Sequence, residues 1–499
     1  MKLCEMIKKM PACKVAGSQT QEIAGLFYDS RQVTEGGAFF ALPGIKSDGH
    51  LFVEDAIARG AVAIFAEKPL TLPEGLTLVQ VENARQAMAL AAHAFYGDPT
   101  ADIPVVGVTG TNGKTTVTYL VEAILQAAGK KPAVFGTVNY RYGNAEHPSS
   151  HTTPESVDFL RTLAHFRSQG ADALVLEVSS HALDQYRVEG THFNVGIFTN
   201  LTPEHLDYHG DMEGYYASKA AFFRRLLPSC GGCAIINVDD PYGKRLAAER
   251  PEALTCGSTE QAAVQVKEAH LSVDGITARI STAQGEIELR SSLVGQFNLQ
   301  NILCAFAAGL ALKLDAHLVA EGIARAAMVP GRLERIENER GALILVDYAH
   351  TGDALDKVLA TLQDLKPRRL VTVFGCGGDR DRSKRPVMGE VAARFSDLVV
   401  LTSDNPRTED PQVILAEIRP GIERHYQQEI SLADGRHGRR GFVVLENRRQ
   451  AIGYAVSTLG EGDILLVAGK GHEDYQVIGT EKHHFDDREE LRQALASEE

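Results

Sequence analysis

Two stretches of this sequence alternate short apolar runs with amphipathic segments of helical period, and no other feature restricts the fold as strongly. In the first stretch the runs fall at residues 103–109, 173–178, 195–199 and 233–238. In the second they fall at 343–347, 370–375, 398–402, 442–445 and 464–468. Short apolar runs without polar alternation read as strands buried on both faces, with the intervening helices covering a parallel sheet. Two doubly wound α/β domains are therefore predicted. A polar, alternating stretch over 264–293 predicts an antiparallel meander at the surface. The first hundred residues hold shorter runs at 38–42, 62–66 and 77–81, and end in the helix-stopping turn Tyr96-Gly97-Asp98-Pro99. With a second break at Pro330-Gly331, the 499 residues divide into 1–99, 100–331 and 332–499, too long a chain for one core.

Charge narrows the function. Lys plus Arg number 51 against 65 Asp plus Glu, a net charge of −14, which argues against a general nucleic-acid or acidic-membrane surface. The N-terminus lacks a signal-peptide core, and the longest apolar run, 302–312, is too short to cross a bilayer and reads as a buried helix. A cytoplasmic protein without membrane insertion is expected, as a monomer. Seven scattered cysteines form no disulfide framework, and Cys230-Gly-Gly-Cys233 is a lone CxxC without a second pair.

The run at 103–109 leads into Gly110-Thr111-Asn112-Gly113-Lys114-Thr115-Thr116 and then a helical segment over 117–128. Strand, glycine loop and helix form a phosphate cradle, in which backbone N–H groups and the helix dipole face the anion. Lys114 can reach the β- and γ-phosphates, and Thr115 can ligate Mg²⁺. The strict P-loop pattern wants glycine at position 108, which is Val108. Glu177, at a strand end, is placed for a cation shared with phosphates, or for the cap of the next helix. His205 and Lys219, taken singly, read as a structural histidine and a solvated lysine.

Further pieces follow in chain order: Glu177-Val-Ser-Ser-His181, Asn200-Leu-Thr-Pro-Glu-His-Leu-Asp207, Ser218-Lys219, Phe297-Asn-Leu-Gln-Asn301, Gly331-Arg332-Leu-Glu334 and Asp347-Tyr-Ala-His350. With the Gly110–Thr116 loop, they resemble the Mur ligase family, relatives of the folylpolyglutamate synthetases. The family's own phosphate loop has this form, which accounts for Val108. The resemblance implies a small N-terminal α/β domain, a central P-loop-type ATPase domain with a mostly parallel sheet, and a C-terminal Rossmann-like domain. It implies ATP on Gly110, Thr111, Asn112, Gly113, Lys114, Thr115 and Thr116, with Asn301 at the adenine and Arg332 and Asp347 completing the pocket. It implies two Mg²⁺ ions on Thr115, Glu177, His205 and a carbamylated Lys219, and a catalytic set of Lys114, Glu177, His205 and Lys219.

Within the family the likeness is to the branch that adds meso-diaminopimelate to UDP-N-acetylmuramoyl-dipeptide for peptidoglycan. Tyr28, Ser30, Ile45, Lys46 and Ser47 match its uridine-nucleotide loops, and Thr152, Thr153, Ser179, Gln185 and Arg187 match its muramoyl-dipeptide contacts. Arg380, Asp404, Asn405, Pro406, Arg407, Gly469 and Glu473 match its diaminopimelate pocket. Asp404-Asn405-Pro406 also reads locally as a turn in which Pro opens a helix, though such a turn does not require Arg407. The expected reaction forms an acyl phosphate from the D-glutamyl γ-carboxylate and ATP, which the acceptor amine then attacks. Three rivals stand beside it: lysine as acceptor, a folylpolyglutamate-synthetase-like ligase, and a non-catalytic ATP-binding switch.

Overall fold

A computed structural model describes residues 1–44, 47–149, 151–326 and 328–497. The chain is α/β throughout and forms two compact units, Met1–Val264 with Cys304–Gly322, and Gln265–Leu303 with Ile323–Glu499.

The first unit holds two sheets. The N-terminal sheet runs Lys14–Ala16, Thr77–Gln80, Ala61–Ala66, Gly37–Phe40, Gly25–Phe27, parallel except for its first pair. The central sheet orders its parallel strands Leu254–Gly257, Cys233–Asn237, Val195–Phe198, Val105–Thr109, Ala173–Glu177, Pro132–Phe135. Two antiparallel strands, Asn139–Tyr142 and Ala145–Pro148, extend it. Val105–Thr109 is fully buried because both its faces carry helices, which is why its residues lack polar alternation. The next two parallel strands in sequence lie to one side of it and the following ones to the other. A crevice therefore opens at its carboxyl end, the topological switch point where open α/β sheets bind ligands.

The expected meander, Val264–Ser272, Gly275–Thr282 and Gly285–Ser291, is antiparallel throughout and belongs to the second unit from Gln265 onward. The run at 302–312 falls in the helix Gln296–Ala311, whose residues from Cys304 onward belong to the first unit. The C-terminal sheet runs Glu334–Ile336, Leu343–Asp347, Asp463–Ala468, Arg369–Phe374, Leu398–Leu401, Gly441–Val444, parallel after its antiparallel first pair. One apolar core lies on each face, around Leu345, Phe374 and Leu466 and around Ile344, Val373 and Leu465. A hairpin absent from the sequence reading follows, Tyr475–Ile478 paired with Glu481–His484. All seven cysteines are free. No helix among the described residues is long and apolar enough to cross a membrane.

One ion pair anchors the C-terminal layers. Arg448 and Asp487 are both 0 % exposed; the guanidinium donates through Nε and Nη2 to the two carboxylate oxygens at 2.7 and 2.6 Å. Nη2 also reaches the Ala468 carbonyl at 3.0 Å, so helices Arg448–Ser457 and Asp487–Ala496 are both tied to a central strand. Removing one partner strands the other charge in the core, so Asp487→Ala should cost about 3–5 kcal/mol. Urea unfolding should show that loss, and the apolar pair Arg448→Met with Asp487→Leu should lose much less.

Candidate functional site

The phosphate loop is preformed. Gly110 sits at φ +146°, and a Cβ there would lie 1.9 Å from Thr199 Oγ1, so the position admits only glycine. A neighbouring segment splints the loop: Thr111 N donates to Asn200 O and Asn112 N to Asn200 Oδ1, each at 2.9 Å, while Thr199 Oγ1 donates to Asn112 O at 2.6 Å. The helix Lys114–Ala127 starts directly after Gly113, three residues before the sequence reading placed it, so Thr115 and Thr116 lie buried in its first turn. Lys114 Nζ rests on the carbonyls of Gly110 and Thr111, at 3.0 and 2.8 Å.

Glu177 ends the strand Ala173–Glu177 and is buried. Its oxygens accept from Thr137 N at 2.9 Å and Thr137 Oγ1 at 3.0 Å. Thr137 escaped the sequence reading because a polar residue after a strand is commonplace. Around Glu177 lie most of the residues expected at the muramoyl-dipeptide. Thr153 Oγ1 donates to Glu177 O at 2.7 Å and accepts from Ser179 N at 3.0 Å, and Thr152 Oγ1 is 3.1 Å from Thr137 Oγ1. Arg187 donates to Thr153 O at 2.8 Å and to Gln185 Oε1 at 2.7 Å. Beyond the N-terminal strand Gly25–Phe27, Ser30 is buried, and the Tyr28 hydroxyl is committed to Asp158; burial first, and then Asp158, push its pKa up. Ser47 is exposed, and Ile45 and Lys46 lie outside the described residues.

Lys219 is not a solvated lysine. It is buried on the helix Met212–Ala221, with Nζ donating to Gly110 O at 2.8 Å. Burial, and then the neighbouring Lys114, push its pKa well below the usual lysine range. A π-helical turn, Phe222–Leu226, follows, a deviation that recurs at functional sites. Phe222 packs where Gly107 leaves room: a Cβ on Gly107 would stand 2.8 Å from its ring. His205 adopts φ +56° ahead of the short helix Leu206–His209, its ring 4.9 Å from that of His181, and burial lowers the pKa of both, His181 to about 4.

The donor set suits Mg²⁺ in kind, with the Glu177 carboxylate and Thr115 hydroxyl as hard oxygens and a neutral His205. No group of three or more His, Cys, Asp or Glu among the described residues forms a ready-made metal cage. That is the ordinary situation for Mg²⁺, which takes one or two carboxylates and completes its shell with water and substrate phosphates.

In the second unit the expected residues gather at the carboxyl ends of the strands. Asp347 ends Leu343–Asp347, accepts from Leu333 N and Ala349 N at 2.8 Å each, and has its pKa raised by burial. The Arg332 guanidinium lies 4.8 Å from the Tyr348 ring centre. Asn301 donates to Asn298 Oδ1 at 3.0 Å.

Asp404 and Asn405 are buried beyond Leu398–Leu401. Pro406 opens no helix; the helix starts at Pro411 behind the Asp410 cap, because residues 405–407 are held instead by the Tyr475–Ile478 strand. Arg407 N donates to Val477 O at 3.0 Å and Gly479 N to Arg407 O at 2.7 Å, which keeps Arg407 at φ +52°. Its Nη1 reaches Gly378 O at 2.7 Å. Arg380 is exposed, Gly469 follows the strand Asp463–Ala468, and Glu473 Oε2 accepts from Asn405 Nδ2 at 2.9 Å. Lys470, which the sequence reading passed over, lies fully buried among them.

Three family descriptions match the chain in order: Mur ligase family, catalytic domain, over residues 22–96; Mur ligase middle domain over 108–309; and Mur ligase, glutamate ligase domain, over 331–471. The chain is 52 % identical to the UDP-N-acetylmuramoyl-L-alanyl-D-glutamate–2,6-diaminopimelate ligase of Geobacter metallireducens, across 99 % of this chain and 98 % of the relative. It is 42 % identical to the protein of the same name from Geobacillus kaustophilus, across 99 % of each. A solved structure described as a ligase of that name matches with a TM-score of 0.72 and 32 % identity, over 100 % of this chain and 99 % of its own. Likeness of this extent, carried on motifs that the fold gathers at its strand ends, has one meaning: the chain belongs to the Mur ligase family.

Proposed function

We propose that this chain is an ATP-dependent ligase that joins meso-diaminopimelate to the D-glutamyl γ-carboxylate of UDP-N-acetylmuramoyl-L-Ala-D-Glu, releasing ADP and phosphate, in peptidoglycan synthesis. The observation that carries the reading is the 52 % identity along 99 % of the chain to a ligase of that name. The division of labour follows the sequence: residues 1–99 for the uridine nucleotide, through Tyr28, Ser30 and the loop at 44–49; residues 100–331 for ATP and the reacting carboxylate; residues 332–499 for the amino acid. Asn301, Arg332 and Asp347 are assigned to ATP on the family resemblance. The protein acts as a monomer in the cytoplasm.

The phosphate-loop N–H groups orient the γ-phosphate, and Lys114 exchanges its two loop carbonyls for phosphate oxygens. Thr152, Thr153, Ser179, Gln185 and Arg187 position the muramoyl-dipeptide so that its carboxylate lies in line with the γ-phosphorus. Glu177, Thr115, His205 and a Lys219 carbamate would hold Mg²⁺, two ions in all, which would supply charge neutralisation for phosphoryl transfer. The acceptor amine then attacks the acyl phosphate and phosphate leaves. Positioning and electrostatics carry the rate.

Lys219 meets the chemical requirement for carbamylation. A neutral amine, the form favoured by burial beside Lys114, adds to CO₂ and loses a proton, converting the side chain into a carboxylate-like ligand. Enzyme held in CO₂-free buffer should therefore lose activity and regain it on adding bicarbonate, and ¹³C-bicarbonate should give a carbamate signal that Lys219→Ala lacks. Activity indifferent to CO₂, together with no such signal, would remove the modification.

Acceptor choice tests the reading as a whole. Diaminopimelate differs from lysine by a carboxylate on the distal carbon, and Arg407 offers that carboxylate a planar fork while Glu473 takes the ammonium. Losing one partner of such a pair costs about 2–5 kcal/mol, so discrimination of at least ~30-fold is expected. ADP release with UDP-muramoyl-dipeptide should depend on diaminopimelate and barely respond to lysine. Arg407→Ala should lose the diaminopimelate activity without gaining a comparable one with lysine. Equal use of both amino acids by the unaltered enzyme would end the assignment.

A further inference from the structure

We infer that Lys470 is a positioning residue for the acceptor amino acid, its buried ammonium holding Asn405 and Glu473 in the posture that receives the ligand. The inference rests on the acceptor reading above.

An ammonium with no solvent exposure must find a partner for each of its three N–H bonds. Lys470 has three oxygens in reach: Asn405 Oδ1 at 3.4 Å, Glu473 Oε2 at 3.5 Å and the Tyr475 carbonyl. The Asn405 amide is thereby oriented. Its oxygen takes Lys470 and, at 2.9 Å, the N–H of Val477, which leaves Nδ2 to donate to Glu473 Oε2 at 2.9 Å. Asn405 and Glu473 are thus held by each other and by one lysine. Their outward polar capacity is what an amino-acid ligand would meet.

Charge gives the lysine a second task. Glu473 is mostly buried and shares its surroundings with Asp404; burial first, then Asp404, raise its pKa, while Lys470 and the Asn405 amide lower it. Other groups acting on this cluster include Tyr348, Tyr475 and the Arg448 guanidinium, the last already bound to Asp487; Arg407 and Asp474 act on Tyr475, and Arg332 on Tyr348. Lys470 is the cation that touches Glu473 directly. Without it, two buried carboxylates would face each other and one would take up a proton. A protonated Glu473 cannot attract an ammonium, so the lysine keeps the ligand-binding anion charged. A lysine that merely filled space would stabilise the domain and leave the pH dependence of acceptor binding untouched.

The test is steady-state kinetics of the full-length chain carrying Lys470→Met, with UDP-muramoyl-dipeptide, ATP and meso-diaminopimelate varied in turn. Near neutral pH the KM for diaminopimelate should rise at least ~10-fold, with the KM for ATP nearly unchanged. Since the Glu473 pKa rises further without its cation, the ionised fraction falls at neutral pH and returns as pH climbs. The defect should therefore shrink toward alkaline pH. Adding Glu473→Gln to the variant should abolish that pH-dependent recovery, and Lys470→Arg, which keeps the charge, should keep the parental profile. A loss that is independent of pH, or that falls equally on ATP and diaminopimelate, overturns the inference. Should Lys470→Met not accumulate as folded protein, Lys470→Gln makes the same test, and a parental pH profile in it overturns the inference too. If the unaltered enzyme shows no diaminopimelate-dependent ADP release, the acceptor reading itself fails; if it does and the variants match it, only the role of Lys470 fails.

Discussion

Two lysines share the mouth of the phosphate loop, and both lean on its carbonyls: Lys114 on Gly110 and Thr111, and Lys219 on Gly110 alone. Two ammonium groups so close, one of them fully desolvated, cannot both stay charged at little cost. The local architecture follows from that constraint. Gly110 has no side chain, so its carbonyl is open to both lysines; Asn200 and Thr199 hold the loop rigid from the next strand; and Glu177 is kept close by, its oxygens occupied by Thr137. Burial prepares the Lys219 amine to be neutral, and a neutral amine is a nucleophile and a ligand precursor where an ammonium is neither.

The scaffold that supports this site was legible in the residues wherever burial on both faces erased polar alternation. The run at 343–347 is the strand Leu343–Asp347, and those at 370–375 and 464–468 are Arg369–Phe374 and Asp463–Ala468. Parallel order was expected because the helical segments between them supply the crossovers that parallel neighbours need. The short hairpin Tyr475–Ile478 with Glu481–His484 was not legible. Its second strand, Glu-Lys-His-His, is wholly exposed and has no apolar face to read. It holds its place through main-chain bonds to Arg407 and side-chain bonds to Asn405 and Asp404, which are tertiary facts.

Site residues divide the same way. The Gly110–Thr116 loop and Glu177 could be read from chemistry at a strand end. Lys219 and His205 needed family resemblance, because a single lysine or histidine carries no signal. Thr137 carried no signal, and Lys470, inside the stretch Gly469-Lys-Gly-His-Glu473, was given no role: each is an ordinary residue type made special by what lies across from it. Asn200 was visible as part of a motif, but its service as a splint for the loop depends on strand order.

The π-helical turn at Phe222–Leu226 bears on how this site tolerates change. An α-helix advances about 100° per residue, so a wide turn accommodates one extra residue and shifts the angular phase of everything after it. Phe222 must meet Gly107 on the sheet while Lys219, three residues earlier, must meet the loop. The wide turn lets the segment that follows, beginning at buried Leu227, find its own packing without dragging Lys219 round the helix axis. Helix phase on one side of the turn is thus insulated from helix phase on the other. Insertions or deletions beyond Leu226 could be absorbed in the loop before Cys233–Asn237, whereas losing a single residue inside the turn would rotate one of the two faces out of register.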